Sequence, residues 1–352
     1  MMTEKNAGNT LKKIRTNLGL SQAELKSLLN ERLSRNYDRH TISRWENGRQ
    51  PIPSEVLNEL QQLIERRPQP LQVIVFANQK GGVGKTTSAL NVAYALSRLN
   101  YRVLLIDADP QASATSALVG DALVELYRNG RTLDAALLKG IPFADVILDK
   151  STELGNGRIL PFSFIPSHID LAEVDVRREP GTEGLLREAI QGVQNDFDYI
   201  IIDSPPHLGF LTWMALTAGN QVFIPVRTEP YDVMGVNLIL DTISKVNRRS
   251  NPRLRIGGVI PTQFSSNQYV DVGIIEHLIT TLAGKADVLE PVPSSTAFSN
   301  AAWEGKISVE VSPTNPAVRP YVRLAEAISN GNQPTLATDG LDLNQTEEDV
   351  RG

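Results

Sequence analysis

An α/β fold is what this sequence predicts: a mostly parallel sheet covered by helices on both faces, preceded by a small all-α domain. Three observations carry the prediction. Six short apolar runs are continuous rather than alternating, as strands buried on both faces are. Helical patterns separate those runs, the order expected of parallel strands joined by crossovers. The residues before Pro68 hold only helical patterns.

Taken in order, Met1 to Asn9 (1–9) is polar and is expected to lack order. Residues 10–67 read as a helical domain with helices at Thr10–Leu18, Ser21–Glu31, His40–Glu46 and Ser54–Arg66. Ser21 and Ser54 suit N-caps, each with a glutamate in the turn that follows. Gly19 and Gly48 suit C-terminal stops. Arg67-Pro68-Gln69-Pro70 supplies a stiff linker over 68–71. The α/β domain spans 72–330, with strands at Val73–Ala77, Val103–Ile106, Ser163–Pro166, Tyr199–Ile202, Val222–Val226 and Ile256–Ile260. Residues 331–352 are polar and acidic and read as a disordered tail.

Composition narrows the classes. The chain has 352 residues, 41% hydrophobic and 21% charged, which suits two globular domains. No apolar run approaches the roughly 18 residues a membrane span needs. Met1 to Asn9 lacks the apolar core of a signal peptide. Cysteine count is 0, which excludes disulfides, thiolate zinc sites and cysteine-held iron–sulfur clusters. Net charge is −5, so nucleic acid could be met only through local basic patches. The expected location is cytoplasmic.

The chemistry is concentrated between the first predicted strand and the helix after it, in Gln79-Lys80-Gly81-Gly82-Val83-Gly84-Lys85-Thr86-Thr87. Strand, glycine loop and helix form the setting of a phosphate-binding loop. Glycines at 81, 82 and 84 let backbone N–H groups turn onto phosphate oxygens. The next helix adds its positive end. Gly81, Gly82, Val83, Gly84, Lys85, Thr86 and Thr87 are the expected cradle for a nucleoside triphosphate. Lys85 would reach the β/γ-phosphates and Thr86 would ligate Mg2+. Lys80 is a second lysine that an ordinary loop of this kind does not need.

Two more strands end in acids. Leu104-Leu105-Ile106-Asp107-Ala108-Asp109-Pro110-Gln111 carries two carboxylates, and Asp198-Tyr199-Ile200-Ile201-Ile202-Asp203-Ser204-Pro205-Pro206 carries one. Ligands of open α/β sheets collect at such strand ends. Asp203 is expected to act on Mg2+ through water. Of Asp107 and Asp109, one can hold the metal shell and the other orient the attacking water. Asp107 is placed with the metal set and Asp109 with Lys80 and Lys85 as the catalytic set. Gln111 and Ser113 read as a switch segment or as a polar turn. His207, after Pro206, suits a base, but phosphoryl transfer here does not need one, so it reads as a structural or surface histidine.

The loop with its leading lysine, the Asp-Ala-Asp-Pro-Gln segment and the Asp-Ser-Pro-Pro segment together resemble the ParA/MinD family of deviant Walker ATPases. The resemblance runs from Gln72 to Asn330 and implies a P-loop NTPase. It implies an ATP-dependent sandwich homodimer, with Lys80 crossing to the partner's nucleotide. It also implies slow hydrolysis, stimulated by a ParB-like adaptor or centromere-binding protein, and adenine contacts at Pro261 and Thr262.

In the first domain, Leu11-Lys12-Lys13-Ile14-Arg15, Leu20-Ser21-Gln22-Ala23-Glu24-Leu25 and Thr41-Ile42-Ser43-Arg44-Trp45-Glu46-Asn47-Gly48-Arg49 resemble a phage-repressor helix-turn-helix. His40, Thr41, Ser43 and Arg44 would then read bases and Gln22 would contact phosphate. Ile42 and Trp45 read as core. The stretch from Asn30 to Thr41 is about six residues longer than a tight helix-turn-helix allows, so it lengthens a helix or forms a loop. A second basic cluster, Lys245, Arg248, Arg249, Arg253 and Arg255, reads as a solvated helix end or as a patch for non-specific DNA.

These features favour a plasmid-type partition ATPase, nucleoid-associated, that also binds operator DNA and represses its own operon. The alternative is positioning of a protein cargo, such as a carboxysome, over the nucleoid. A membrane-bound regulator needs a basic amphipathic C-terminal helix, which the acidic tail does not provide.

Overall fold

The structure is a computed structural model that describes residues 4–17, 20–33, 35–64, 70–154, 157–176, 181–266 and 268–339. Four helices come first: α1 (Glu4–Asn17), α2 (Gln22–Leu33), α3 (Arg39–Glu46) and α4 (Ser54–Ile64). They close on Leu11, Leu25, Leu29, Ile42, Trp45, Val56 and Leu60. Ser21 and Glu24 form a reciprocal cap on α2: the Ser21 N–H donates to Glu24 Oε2 (2.7 Å) and the Glu24 N–H donates to Ser21 Oγ (3.2 Å).

One expectation for this region is corrected. Glu4 to Asn9, expected to lack order, are helical. The reason is Gly8: a Cβ there would lie 2.5 Å from the Trp45 carbonyl oxygen, so a glycine lets α1 cross α3 closely. The long stretch before α3 partly lengthens α2, and the rest is tied down. Tyr37 N–H donates to Asn30 Oδ1 (2.6 Å), and the Tyr37 hydroxyl donates to Glu55 (2.7 Å). Arg35 pairs with the same Glu55 at 2.8 Å. Asp38 then caps α3 by accepting from Thr41 N–H (2.6 Å). Residues 68 and 69 of the expected linker, 68–71, lie outside the described residues.

The α/β domain has six strands: β1 (Gln72–Phe76), β2 (Val103–Asp107), β3 (Ser163–Ile165), β4 (Tyr199–Asp203), β5 (Gln221–Arg227) and β6 (Arg255–Thr262). They form one sheet in the order β3-β2-β4-β1-β5-β6, every pairing parallel. Alternate residues serve opposite cores. Val73, Val75, Ile200 and Ile202 pack with helices Phe210–Ala218 and Pro230–Arg249 on one face. Ile74, Phe76, Leu105 and Ile201 pack with α5 (Lys85–Arg98) and helix Arg319–Asn330 on the other. Each fully buried Ile, Val or Phe contributes about 1.5–3 kcal/mol, which explains why the runs read as continuously apolar.

The start of the expected disordered tail is also corrected. Leu336 bridges Leu289 antiparallel, and Ala337 N–H donates to Val288 O (3.0 Å) with Ala337 fully buried. Short apolar contacts hidden in a polar stretch place it there. Residues 340–352 lie outside the described set.

Candidate nucleotide site and basic surfaces

Parallel strands deliver their C-terminal ends to one edge of the sheet. In register, Asp203 of β4 stands beside Asp107 of β2 on one side and Phe76 of β1 on the other. The glycine loop leaves from β1, so it and both acids meet by topology alone. Gly82 (φ 71°) and Gly84 (φ 89°) take left-handed conformations that side chains resist. Lys85 opens α5, is buried, and its Nζ donates to the Lys80 carbonyl (2.7 Å). Burial lowers its pKa, and the charges of Asp203 and Asp109 offset part of that.

The three acids are not equivalent. Asp107 Oδ1 accepts from Asp109 N–H (3.1 Å), and Oδ2 accepts from Thr115 N–H (2.8 Å) and hydroxyl (2.7 Å). Burial pushes its carboxyl up to about 6 despite these bonds. Asp107, expected among the metal ligands, uses three hydrogen bonds to fix the segment that leads into α6 (Ser113–Val119). Asp109 is buried and accepts from Gln111 N–H (2.9 Å). Asp203 is fully buried, and both its oxygens lack a hydrogen-bond partner. Burial and the Asp107 charge push its pKa well up, offset in part by Thr86 and Lys85.

An orphaned, buried carboxylate beside a threonine hydroxyl fits a hard cation that brings its own water and phosphate ligands. Among the described residues no cluster of three or more His, Asp or Glu offers a protein-only cage. Without a cation Asp203 is a burden on the fold. Asp203→Asn is therefore expected to raise the stability of the nucleotide-free protein at pH 7 by about 1–3 kcal/mol. A thermal melt checks this, and an unchanged Tm would mean the carboxylate is already satisfied.

Lys80 does not point into the loop. Its Nζ pairs with Asp232, in the first turn of helix Pro230–Arg249, and Arg227 Nε donates to the same carboxylate (2.7 Å). Burial alone would raise the pKa of Asp232, but these two cations outweigh it and hold it low. Sequence reading missed Asp232. Its only signal was an acid in the first turn of a helix after a strand.

Of the two expected adenine contacts, Thr262 is tied to the glycine loop and Pro261 to the Val292 backbone. Thr262 Oγ1 bonds Val83 O (2.9 Å), and the Pro261 carbonyl accepts from Val292 N–H (2.8 Å). Thr262 does reach the edge of a 220 Å³ cleft, which Thr87, Pro293, Phe298 and Tyr321 also line. Gln111 is exposed, Ser113 begins α6, and Ala112 between them takes φ 54°.

In the first domain, His40 and Arg44 are exposed on α3 and Thr41 and Ser43 half-buried, while Ile42 and Trp45 are core as expected. Gln22 departs from its expected phosphate contact: its amide donates to buried Glu46 (2.7 Å), which also binds Arg15 (2.5 Å). Lys245, Arg248, Arg249, Arg253 and Arg255 are all exposed. Among the described residues none of them forms an ion pair.

Comparison with known proteins agrees with this geometry. The family model described as an AAA domain matches residues 71–256, and one described as Aca2/YdiL-like matches residues 6–91. The sporulation initiation inhibitor protein Soj of Bacillus subtilis (strain 168) is 34% identical over 264 residues, covering 74% of this chain and 99% of that protein. The crystal structure of cobyrinic acid a,c-diamide synthase from Mycobacterium smegmatis with bound ADP and magnesium is 28% identical. It has a TM-score of 0.63 and covers 76% of this chain and 99% of that one. A putative plasmid partition protein from Borrelia burgdorferi B31 bound to AMPPNP is 25% identical, with a TM-score of 0.59, covering 75% of this chain and 100% of that one. With its two-lysine glycine loop set against strand-end aspartates, and with these relatives, the chain belongs to the ParA/Soj family of AAA-domain ATPases.

Proposed function

We propose that this chain is a partition ATPase that couples ATP binding to DNA binding and segregates a plasmid or other replicon in the cytoplasm, on the nucleoid. One observation carries the reading. The helix Pro230–Arg249 holds Lys80 through Asp232 at its first turn and presents Arg248 and Arg249 at its last, with Lys245 just before them, none in an ion pair among the described residues. A 20-residue helix is about 30 Å long, so it links the nucleotide edge of the sheet to the opposite edge.

Gly81, Gly82, Val83, Gly84, Thr86 and Thr87 cradle the phosphates of ATP, and the cleft beside Phe298 takes the base. Thr86 and Asp203 would hold Mg2+, which would neutralise charge on the phosphates when bound. Lys85 reaches the β/γ-phosphates. Asp109 orients the attacking water, and Asp107 keeps the segment carrying it in place. Lys80 leaves Asp232 and serves the partner's nucleotide in a homodimer, where it meets charge that builds on the transferring group. A ParB-like adaptor, or another centromere-binding protein, stimulates hydrolysis and so release from DNA. The first domain, as a helix-turn-helix, binds operator DNA through His40, Thr41, Ser43 and Arg44 and represses the chain's own operon. A DNA-reading domain favours partition over the positioning of a protein cargo.

The test is duplex binding with ATP, with ADP and without nucleotide, on random DNA and on DNA upstream of the gene. ATP-dependent binding to random duplex is the expected result, and its absence would overturn the reading. Changing Arg248 and Arg249 to alanine should weaken that binding and make its log–log salt slope shallower by about one unit per arginine. An unchanged slope would return these residues to a solvated helix end.

A further inference from the structure

The loop that follows Asp203 holds a side-chain pair the reading above does not use. Ser204 bonds the end of β1 through its hydroxyl, which donates to Phe76 O (2.8 Å). Pro206 then lies against the glycine loop, its Cβ 3.9 Å from where a side chain on Gly81 would begin. His207 comes next in the same loop. Its carbonyl accepts from the Thr212 hydroxyl (2.6 Å) and its Nε2 meets Asp175 Oδ2 (2.7 Å). The other oxygen of Asp175 accepts from Leu211 N–H (3.0 Å), which fixes the carboxylate to the first turn of helix Phe210–Ala218.

The pair closes only because residue 209 is glycine. A Cβ there would fall 2.5 Å from His207 Cδ2, 2.7 Å from Nε2 and 3.0 Å from Asp175 Oδ1. The ring is therefore held at one nitrogen, while the side chain stays 48% exposed. Its Nδ1 has no hydrogen bond among the described residues. In the tautomer whose Nε2–H donates to Asp175, Nδ1 is the acceptor. Asp109, placed above as the residue that orients water, lies within electrostatic reach of this ring.

The geometry points to His207 as a general base for the attacking water, with Asp175 as the residue that positions it. The inference rests on the nucleotide reading of the site. In the step, the water oxygen bonds to the γ-phosphorus. The bond from that phosphorus to the bridging oxygen breaks, its electron pair leaving with ADP. The water proton passes to His207 Nδ1 and then to solvent. A carboxylate, a fixed tautomer and a free ring nitrogen are the parts such a relay needs.

The experiment uses the full chain with Mg2+. His207→Ala is expected to lower kcat for ATP by about 100-fold, and Asp175→Asn by less, at the low end of what a positioned base contributes. Affinity for AMPPNP should stay within about twofold, since no ground-state contact is lost. His207→Gln, which keeps an acceptor, should fall between wild type and His207→Ala. A second readout is independent of turnover. The chain has only four histidines, so the His207 ring resonance can be assigned by substitution. It should shift with Mg·AMPPNP and not with Mg·ADP. Unchanged kcat in His207→Ala, a fall in AMPPNP affinity that matches the fall in kcat, or a ring signal indifferent to AMPPNP would each overturn the inference while leaving the ATPase reading in place. A wild-type chain that neither binds nor hydrolyses ATP would overturn both.

Discussion

Lys85→Ala is expected to abolish tight nucleotide binding. The side chain is buried at the foot of α5, and with no phosphate its ammonium settles on the Lys80 carbonyl. A phosphate chain offers a charged acceptor in a site where water is already excluded. Truncating one partner of such a pair costs about 2–5 kcal/mol, roughly 30- to 4,000-fold in Kd. The substitution also removes a positive charge that offsets the ionisation of Asp203 and Asp109. The nucleotide-free variant should therefore melt lower than wild type. Calorimetric titration with Mg·ATP and a thermal melt check both. Binding within a few-fold of wild type would mean the loop does not cradle phosphate.

Much of this site was legible from the chain because its parts lie next to strand ends. A glycine loop after β1 and acids closing β2 and β4 must meet once the strands are parallel, so Lys85, Asp109 and Asp203 could be placed without coordinates. What was not legible depends on which atoms are already occupied. Asp107 and Asp203 look alike in sequence, yet Thr115 and the Asp109 N–H use one and leave the other bare. Gln22 reads as a phosphate contact until Glu46, 24 positions away, claims its amide. Asp175 lies 32 positions from His207, and only the tertiary fold brings it there. The six strands were found because burial on both faces leaves a continuous apolar mark. The ordered start of α1 was missed because a close helix crossing needs only a glycine, which carries no hydrophobic signal.

Lys80→Ala and Asp232→Asn are expected to act in opposite directions on dimerisation. On the reading proposed above, Lys80 has two partners, Asp232 within its own chain and the other protomer's nucleotide in a homodimer. The pair with Asp232 would then oppose the crossing, since it must break first. Lys80→Ala should keep most nucleotide affinity, lose ATP-dependent dimerisation and lose adaptor-stimulated hydrolysis. Asp232→Asn frees Lys80 and should tighten the Mg·AMPPNP dimer. It also leaves Arg227 with Glu229 alone (3.2 Å), at a stability cost of about 1–3 kcal/mol for the lost buried carboxylate pair. Because Asp232 titrates below its ordinary value, the wild type keeps this stability above about pH 4 and loses it only in acid. The gap in Tm between wild type and Asp232→Asn should therefore be full at pH 7 and close as the pH falls below about 4. Sedimentation with Mg·AMPPNP reads the dimer and a pH series of melts reads the pair. If Lys80→Ala dimerises and responds to adaptor as wild type does, Lys80 has no role in trans and its pairing with Asp232 is only structural. If Asp232→Asn melts lower but dimerises no more tightly, the pair braces the fold without restraining the lysine.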